Sequence, residues 1–301
     1  MSKIQSISRY TITYNRANIY DDTIVEKKSQ TSYIEMDERG NVVEDKTFDN
    51  EGNPENHIRR TFNAENQLLT ESFIDAYSDE VYETRYHSYN GDALLTSTKI
   101  KYPEDEIEQQ YIYSPQGKLL QKKVNYLDAY NYIEKEYVWE NDHLQKIIEK
   151  DEDEMVSTQN MLYHEDGNIA ELEVIEHLNN DLKQTERYDY ENGQITRQEI
   201  FNYKGDVMTT IESKYDGELL LERSIESGTQ FFKHVYKYDE NGRKTQESVL
   251  NRDDLPLIDY IIEYNEEGLE TSTKKYSLNI VDDEKELILI EEILTEYAYF
   301  E

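Results

Sequence analysis

A short turn motif recurs through most of this sequence. Its clearest copy is Tyr238-Asp239-Glu240-Asn241-Gly242-Arg243, in which an aromatic residue precedes a polar turn that ends in glycine. We call the last aromatic or bulky residue before each turn the anchor. Successive anchors are 23 to 27 residues apart: Met36, Phe62, Tyr89, Tyr113, Trp139, Tyr163, Tyr190, Tyr215, Tyr238 and Tyr264. A period of this size is typical of repeat architectures, in which each unit packs on its neighbours.

The residues after each anchor have the chemistry of a turn. Asp, Asn or Ser usually comes first, and these side chains accept a hydrogen bond from the backbone two residues on. Glycine usually follows at the left-handed corner, and Asn66 and Asp142 replace it in two units. The pairs Asn90-Gly91 and Asp216-Gly217 predict two-residue hairpin turns.

The spacing of the aromatic residues favours strands over helices. Tyr236 and Tyr238 are two residues apart, as are Tyr188 and Tyr190, which places each pair on one face of a strand. At helical spacing, such residues would point about 200° apart. A second, less regular turn falls about half a period later, so each unit is expected to hold two strands of about ten residues.

We therefore predict an all-β fold, an elongated antiparallel β-meander of about ten two-strand units of about 25 residues. Only 36% of the residues are hydrophobic, which is low for two packed layers, so we expect a single curved or spiral sheet. Eight anchors are expected to form a structural ladder on its inner face: Tyr89, Tyr113, Trp139, Tyr163, Tyr190, Tyr215, Tyr238 and Tyr264.

The period also divides the chain, which we expect to form one continuous domain. Residues 36–268 hold the regular hairpins, residues 1–35 form a degenerate N-terminal unit or cap, and residues 269–301 form a C-terminal cap. The aliphatic segment 287–294 fits either a capping strand or a short helix. Terminal units are expected to differ from the others, because an end strand exposes unpaired backbone groups.

The composition excludes several classes of protein. The 66 Asp and Glu residues against 32 Lys and Arg give a formal charge of −34, which disfavours nucleic acid as a partner. The 27 tyrosines oppose disorder, and the absence of cysteine excludes disulfides and cysteine-ligated metals. Without a signal segment or a long apolar run, a cytoplasmic location and no membrane partner are expected.

The sequence contains no candidate catalytic site. The six histidines lack metal-site spacing and the glycines are scattered, so we predict a non-enzymatic protein with no catalytic residue, metal or cofactor. The acidic turns remain as partner-binding candidates, with calcium binding and a solvated charged rim as alternatives. Their residues are Asp37, Glu38, Glu165, Asp166, Asp239, Glu240, Glu266 and Glu267.

The turn at 238–243 resembles the YD (RHS) repeat, Tyr-Asp-x-x-Gly-Arg/Lys-Leu, and the turns at 113–119 and 264–269 fit it more loosely. The stretch Tyr190-Glu191-Asn192-Gly193-Gln194-Ile195 also resembles the turn of MORN-like hairpin repeats, some of which are described as antitoxins in bacteria. The YD resemblance implies a spiralling β-sheet that can form a shell around a toxin. A stand-alone, acidic version implies a protein that binds a toxin or another basic protein.

We therefore expect a bacterial interaction protein, an immunity protein or antitoxin, that binds and neutralises a basic toxin through an acidic curved surface. Opposite charges would speed association and make binding sensitive to salt. The alternative is a cell-surface or carbohydrate-binding repeat protein that uses exposed tyrosines as stacking platforms.

Overall fold

The computed structural model describes residues 3–18, 21–126, 130–179, 181–281 and 284–300. Apart from one 3-10 turn, His177–Asn179, all regular structure in these ranges is β-strand. The strands are β1 (Ile4–Asn18), β2 (Asp21–Met36), β3 (Val42–Phe48), β4 (Pro54–Phe62), β5 (Leu68–Ile74), β6 (Val81–Tyr89), β7 (Leu95–Lys101), β8 (Glu106–Tyr113), β9 (Leu119–Tyr126), β10 (Tyr130–Glu140), β11 (His143–Asp151), β12 (Glu154–Tyr163), β13 (Ile169–Glu176), β14 (Leu182–Glu191), β15 (Gln194–Phe201), β16 (Val207–Asp216), β17 (Leu219–Ser227), β18 (Gln230–Tyr238), β19 (Lys244–Leu250), β20 (Pro256–Tyr264), β21 (Glu270–Val281) and β22 (Glu284–Tyr299). None of the regular structure in these ranges is a helix with the length and apolarity of a membrane span.

The all-β antiparallel meander predicted from the sequence is confirmed. The 22 strands belong to one sheet, and the described pairings are antiparallel. The anchors end strands as expected: Tyr113 ends β8 and Tyr264 ends β20. At most anchors the pairing register shifts by one residue, as between Lys237 and Tyr238, which marks a β-bulge.

The predicted open, curved or spiral sheet is wrong, because the first strand pairs with the last. Strands β1 and β22 pair antiparallel, with Ser8 opposite Glu296 and Thr11 opposite Ile293, and this pairing closes the sheet. Each terminal strand thereby satisfies the backbone N–H and C=O groups that an edge strand would leave unpaired. The aliphatic segment 287–294 lies within β22 and is neither a helix nor an exposed end strand.

Contacts between Cα atoms divide the chain into two compact units. Unit 1 consists of Met1–Thr84, Tyr215–Glu222 and Phe232–Glu301, and unit 2 consists of Arg85–Lys214 and Arg223–Phe231. In unit 1, consecutive pairings run from β18 through β22 to β1 and on to β5. In unit 2 they run from β7 to β16.

The apolar core is small, and polar side chains are also buried in the sheet. The buried hydrophobic residues of the described ranges are Ile74, Ile100, Val124, Met161 and Val249, with Thr98, Thr158 and Ser272 among the buried polar ones. Some ion pairs are half-buried in the sheet; for example, Lys122 Nζ lies 2.7 Å from Glu134 Oε2. Backbone pairing and cross-strand contacts therefore carry much of the stabilisation that a thicker domain would take from its core.

Candidate functional site

The turns that follow the anchors share one hydrogen-bonding pattern. At residues 239–243, the N–H of Asp239 donates to the carbonyl of Arg243 at 2.9 Å, and the N–H of Gly242 donates to the carbonyl of Asp239 at 3.0 Å. Asp239 Oδ1 also accepts the N–H groups of Asn241 and Arg243, both at 2.9 Å. The first residue of the turn therefore opens it, as predicted. The same contacts recur at Asp37, Asn63, Asn90, Ser114 and Asn265.

The fourth residue of each five-residue turn takes the left-handed conformation. Gly242 has φ +76°, and Asn66 takes this corner with φ +61°, as predicted. The two-residue turn predicted at Asn90-Gly91 is wrong, because Asn90 N–H bonds to Leu94 O at 3.0 Å and Ala93 occupies the corner at φ +62°. The sequence pattern was misleading because Asn-Gly by itself fits a two-residue turn, whereas the backbone hydrogen bonds here close a five-residue turn from Asn90 to Leu94.

Five anchor rings each connect their own hairpin to the preceding one. In unit 1, the hydroxyl of Tyr238 donates to Leu220 O and that of Tyr264 to Lys244 O, both at 2.7 Å. In unit 2, Tyr113, Trp139 and Tyr163 donate to the carbonyls of Leu95, Leu119 and Leu144 at 3.0, 2.8 and 2.7 Å. Each acceptor lies near the start of the return strand of the preceding hairpin, so the ring ties two neighbouring turns together.

Burial of the anchor rings disfavours the ionised form of their hydroxyls. Desolvation raises the pKa of the tyrosine hydroxyls at Tyr89, Tyr113, Tyr190, Tyr238 and Tyr264. Tyr215, the remaining ladder residue, lies near the end of β16. The ladder rings for which these contacts are described are thus half-buried structural groups.

Sequence reasoning missed one rung of the ladder, Tyr297. Its hydroxyl donates to Glu270 O at 2.7 Å in the same way as the other anchors. It lies 33 residues after Tyr264, outside the range of the regular intervals. The signal that could have identified it is the pair Tyr297 and Tyr299, which has the same two-residue spacing as Tyr236 and Tyr238.

In unit 1, contacts between neighbouring turns form a continuous line along one edge of the sheet. The guanidinium of Arg243 lies 4.9 Å from the centre of the Tyr264 ring, which joins turn 239–243 to the strand that leads into turn 265–269. The hydroxyl of Tyr299 then donates to Glu267 Oε2 at 3.0 Å.

The same line continues across the two chain ends. The N–H of Phe300 donates to Lys3 O at 3.0 Å, and Lys3 Nζ donates to Glu38 O at 2.6 Å. Sheet closure therefore brings turn 37–41 to the same edge as turns 239–243 and 265–269. We call these three turns the acidic turn edge of unit 1. An open sheet would have placed the first of them far from the other two.

The predicted acidic residues on this edge fall into two groups. Asp37 and Asp239 are occupied within their own turns: hydrogen bonds from the Asn41 side chain and from the Asn41 and Arg39 backbone lower the pKa of Asp37 to about 2. Glu38, Glu240, Glu266 and Glu267 are exposed at the tips of the turns, and Glu267 also accepts the Tyr299 hydroxyl. The aspartates therefore shape the turns, and the glutamates present negative charge to solvent.

The fourth predicted turn, which carries Glu165 and Asp166, lies in unit 2. These residues line an open concavity of about 430 Å³ together with His164, Asp189 and Tyr190. Asp166 has a lowered pKa because it accepts hydrogen bonds from the backbone and side chain of Asn168. In the described part of the chain, no group of three or more His, Asp or Glu side chains is arranged to hold a metal ion.

Comparison with known proteins gives structural neighbours but no family. No protein-family model and no curated protein matches the sequence. The crystal structure of TcdB2-TccC3 matches at 12% identity and a TM-score of 0.42, covering 86% of this chain and 16% of that chain. A porin-like protein from Bacteroides uniformis matches at 8% identity and a TM-score of 0.36, covering 99% of both chains.

A porin-like protein from Bacteroides vulgatus matches at 12% identity and a TM-score of 0.22, covering 88% of this chain and all of that one. The chain spans about one sixth (16%) of the length of the TcdB2-TccC3 chain. With TM-scores of 0.42 or lower, these likenesses carry no functional argument. The similarity to YD repeats therefore remains a resemblance between turn motifs.

Proposed function

We propose that this chain is a non-enzymatic interaction protein that binds a basic protein toxin and neutralises it, as an immunity protein or antitoxin does. The observation that carries the proposal is the acidic turn edge of unit 1. Three successive turns there expose Glu38, Glu240 and Glu266 on a chain with a formal charge of −34. A surface of this charge attracts and orients a positive partner.

The turns also hold these glutamates on a rigid support. Each turn is fixed by backbone bonds and by the side chain of its first residue, and Arg243 Nη2 pairs with Asp239 Oδ2 at 2.6 Å. A surface that is ordered before binding loses less conformational entropy when a partner docks. The acidic turn edge thus combines charge with preorganisation.

The class of partner is supported by the turn motif and by the ladder. The resemblance to YD and MORN-like repeats favours a partner of toxin type. The carbohydrate-binding alternative needs free aromatic faces, and the half-buried anchor rings give it less support because their hydroxyls and N–H groups are used within the sheet.

The proposal is tested with a triple variant, Glu38→Gln/Glu240→Gln/Glu266→Gln. Tagged wild type and variant are used to capture partners from cells of the source organism, and the captured proteins are identified by mass spectrometry. We expect a basic protein that is released when salt rises from about 0.1 M to about 0.5 M, because screening weakens exposed pairs. If each lost pair contributes about 0.5 kcal/mol, the variant should bind about tenfold more weakly.

A control of equal charge comes from the opposite edge of unit 1. Glu51→Gln/Glu55→Gln/Glu80→Gln removes three exposed carboxylates that lie outside the acidic turn edge. This variant should retain the partner. Recovery of only neutral or acidic proteins, or equal loss of the partner in both triple variants, would contradict the proposal.

A further inference from the structure

A group of exposed apolar side chains crosses one edge of unit 2. We call it the apolar stripe, and its members are Met155, Leu178, Leu182, Tyr203, Val207 and Met208. Their exposed fractions run from 44% for Met155 to 64% for Leu178. They lie in or directly beside the turns β11–β12, β13–β14 and β15–β16, the second turns of their repeats.

The strand pairing places these turns side by side. Strands β12 to β16 pair in succession, with Glu176 opposite Leu182 and Phe201 opposite Val207. Four strand spacings amount to roughly 19 Å, so the stripe crosses a distance comparable to the width of a small protein interface.

Structural roles do not account for this exposure. Single apolar residues on a surface are common, but contiguous groups mark contact sites. Leu178 lies in the 3-10 turn and Tyr203 in the β15–β16 turn, where a polar residue would serve the backbone equally well. The stripe is therefore an apolar surface that the fold of unit 2 leaves uncovered.

The rim of the stripe is acidic. Six exposed carboxylates flank its members: Asp151, Glu152, Asp153, Glu154, Asp181 and Asp206. The nearby basic side chains are engaged locally. Lys150, which lies opposite Met155, pairs with Glu136, and Lys183 pairs with Glu173. His177 Nδ1 lies 2.5 Å from Asp181 Oδ1, and the ammonium of Lys204 lies 5.4 Å from the centre of the Tyr203 ring. An apolar centre within a charged rim is the usual anatomy of a protein interface.

We infer that the apolar stripe docks an amphipathic basic segment of a protein partner, in which apolar side chains are flanked by Lys or Arg. The apolar side chains would cover the stripe, and the basic ones would face the six carboxylates. This inference rests on the proposed function, because it takes the same class of basic partner. It adds a second, independent surface on unit 2, which distinguishes among basic partners by their apolar content as well as by their charge.

The test uses two labelled synthetic peptides of 16 residues with equal charge. One contains eight lysines and eight leucines, and the other contains eight lysines and eight serines. Fluorescence polarisation at about 0.15 M salt should show the leucine peptide binding wild type at least tenfold more tightly. Covering even one leucine-sized side chain contributes enough free energy for a difference of that size.

Three variants separate the possible explanations. Leu178→Ser/Tyr203→Ser/Met208→Ser should abolish the preference for the leucine peptide. A matched apolar control in unit 1, Tyr77→Ser/Val81→Ser/Ile280→Ser, removes side chains that are 50–82% exposed and should keep it. The acidic-turn-edge triple variant should keep it too. Circular dichroism checks that each variant is folded, and Leu178→Ser alone serves if the triple stripe variant is not.

The outcomes are distinct. Equal affinity of wild type for both peptides would overturn the apolar stripe as a docking surface and leave the acidic turn edge standing. A stripe variant that turns a dimer into a monomer in sedimentation, without peptide, would overturn it by assigning the stripe to self-association. If wild type captured no salt-sensitive basic partner but still preferred the leucine peptide, the proposed function alone would be overturned.

Discussion

The turn at residues 90–94 provides a direct test of the turn geometry. Ala93 occupies the left-handed corner at φ +62°, where Gly117 in the same unit has φ +79°. Gly91, two residues earlier, does not have a positive φ. The proposed perturbation exchanges the two residues, Gly91→Ala with Ala93→Gly, so that glycine moves to the position that requires it.

The expected gain in stability follows from the backbone conformation alone. A non-glycine residue in the left-handed conformation costs roughly 1–2 kcal/mol. The exchange leaves the composition unchanged, so the entropy of the unfolded chain is nearly the same and the native-state strain is isolated. A Cβ at Gly91 would meet no atom within 4 Å. We therefore expect the free energy of unfolding to rise by about 1–2 kcal/mol.

Urea denaturation measures this change. Trp139 lies in the same unit, and its fluorescence should report a higher midpoint with an unchanged slope. The control, Gly117→Ala, should lower the midpoint, because a Cβ there would lie at an ordinary 3.8 Å from Leu94 Cδ1 and only the backbone opposes it. If the exchange lowered stability, the left-handed corner would lie at Gly91, as the Asn-Gly pattern alone predicts.

Three further predictions test the ladder, the turn aspartates and the sheet closure. Tyr163→Phe removes a 2.7 Å hydrogen bond and should lower the free energy of unfolding by about 0.5–1.5 kcal/mol in the same titration. Tyr203→Phe, at an exposed ring, should leave the free energy of unfolding unchanged. Equal losses of stability in the two variants would argue against a stabilising role for the ladder. The folded pKa of Asp37, about 2, lies below its ordinary 3.8, so its contribution is complete above about pH 4 and is lost as pH falls toward 2. Asp37→Asn keeps the acceptor and should flatten that part of the stability profile, whereas an unchanged profile would exclude this carboxylate as a contributor. Ser8→Cys with Glu296→Cys places thiols on opposing residues of β1 and β22, and oxidation should yield a disulfide visible on a non-reducing gel. Single-cysteine variants are the controls, and no cross-link would argue for an open sheet.

The local turn chemistry could be predicted because it depends on residues close together in sequence. Asp239 contacts the backbone of residues two and four positions later, so the whole motif lies within five residues. The corner at Asn66 was predicted for the same reason. The antiparallel meander followed from the period and from the two-residue spacing of the aromatic pairs.

The candidate site was only partly predictable. The acidic residues were identified from composition and turn position, but their grouping was not, because an open sheet separates Glu38 from Glu240 and Glu266. The apolar stripe was missed as well. Met155, Leu182 and Met208 are far apart in sequence, and none of them stands out from the apolar residues that alternate along ordinary strands.

The strands, the chemistry of most turns and the acidic character of the protein could thus be predicted from the sequence, because each of these depends on side chains within a few residues of one another. The pairing of the first strand with the last, as of Ser8 with Glu296, is visible only in the folded molecule. Such pairing joins backbone N–H and C=O groups that every residue except proline carries, so it leaves no distinctive pattern of side chains to read. Because the sheet closes in this way, acidic turns near the two ends of the chain lie along the same edge.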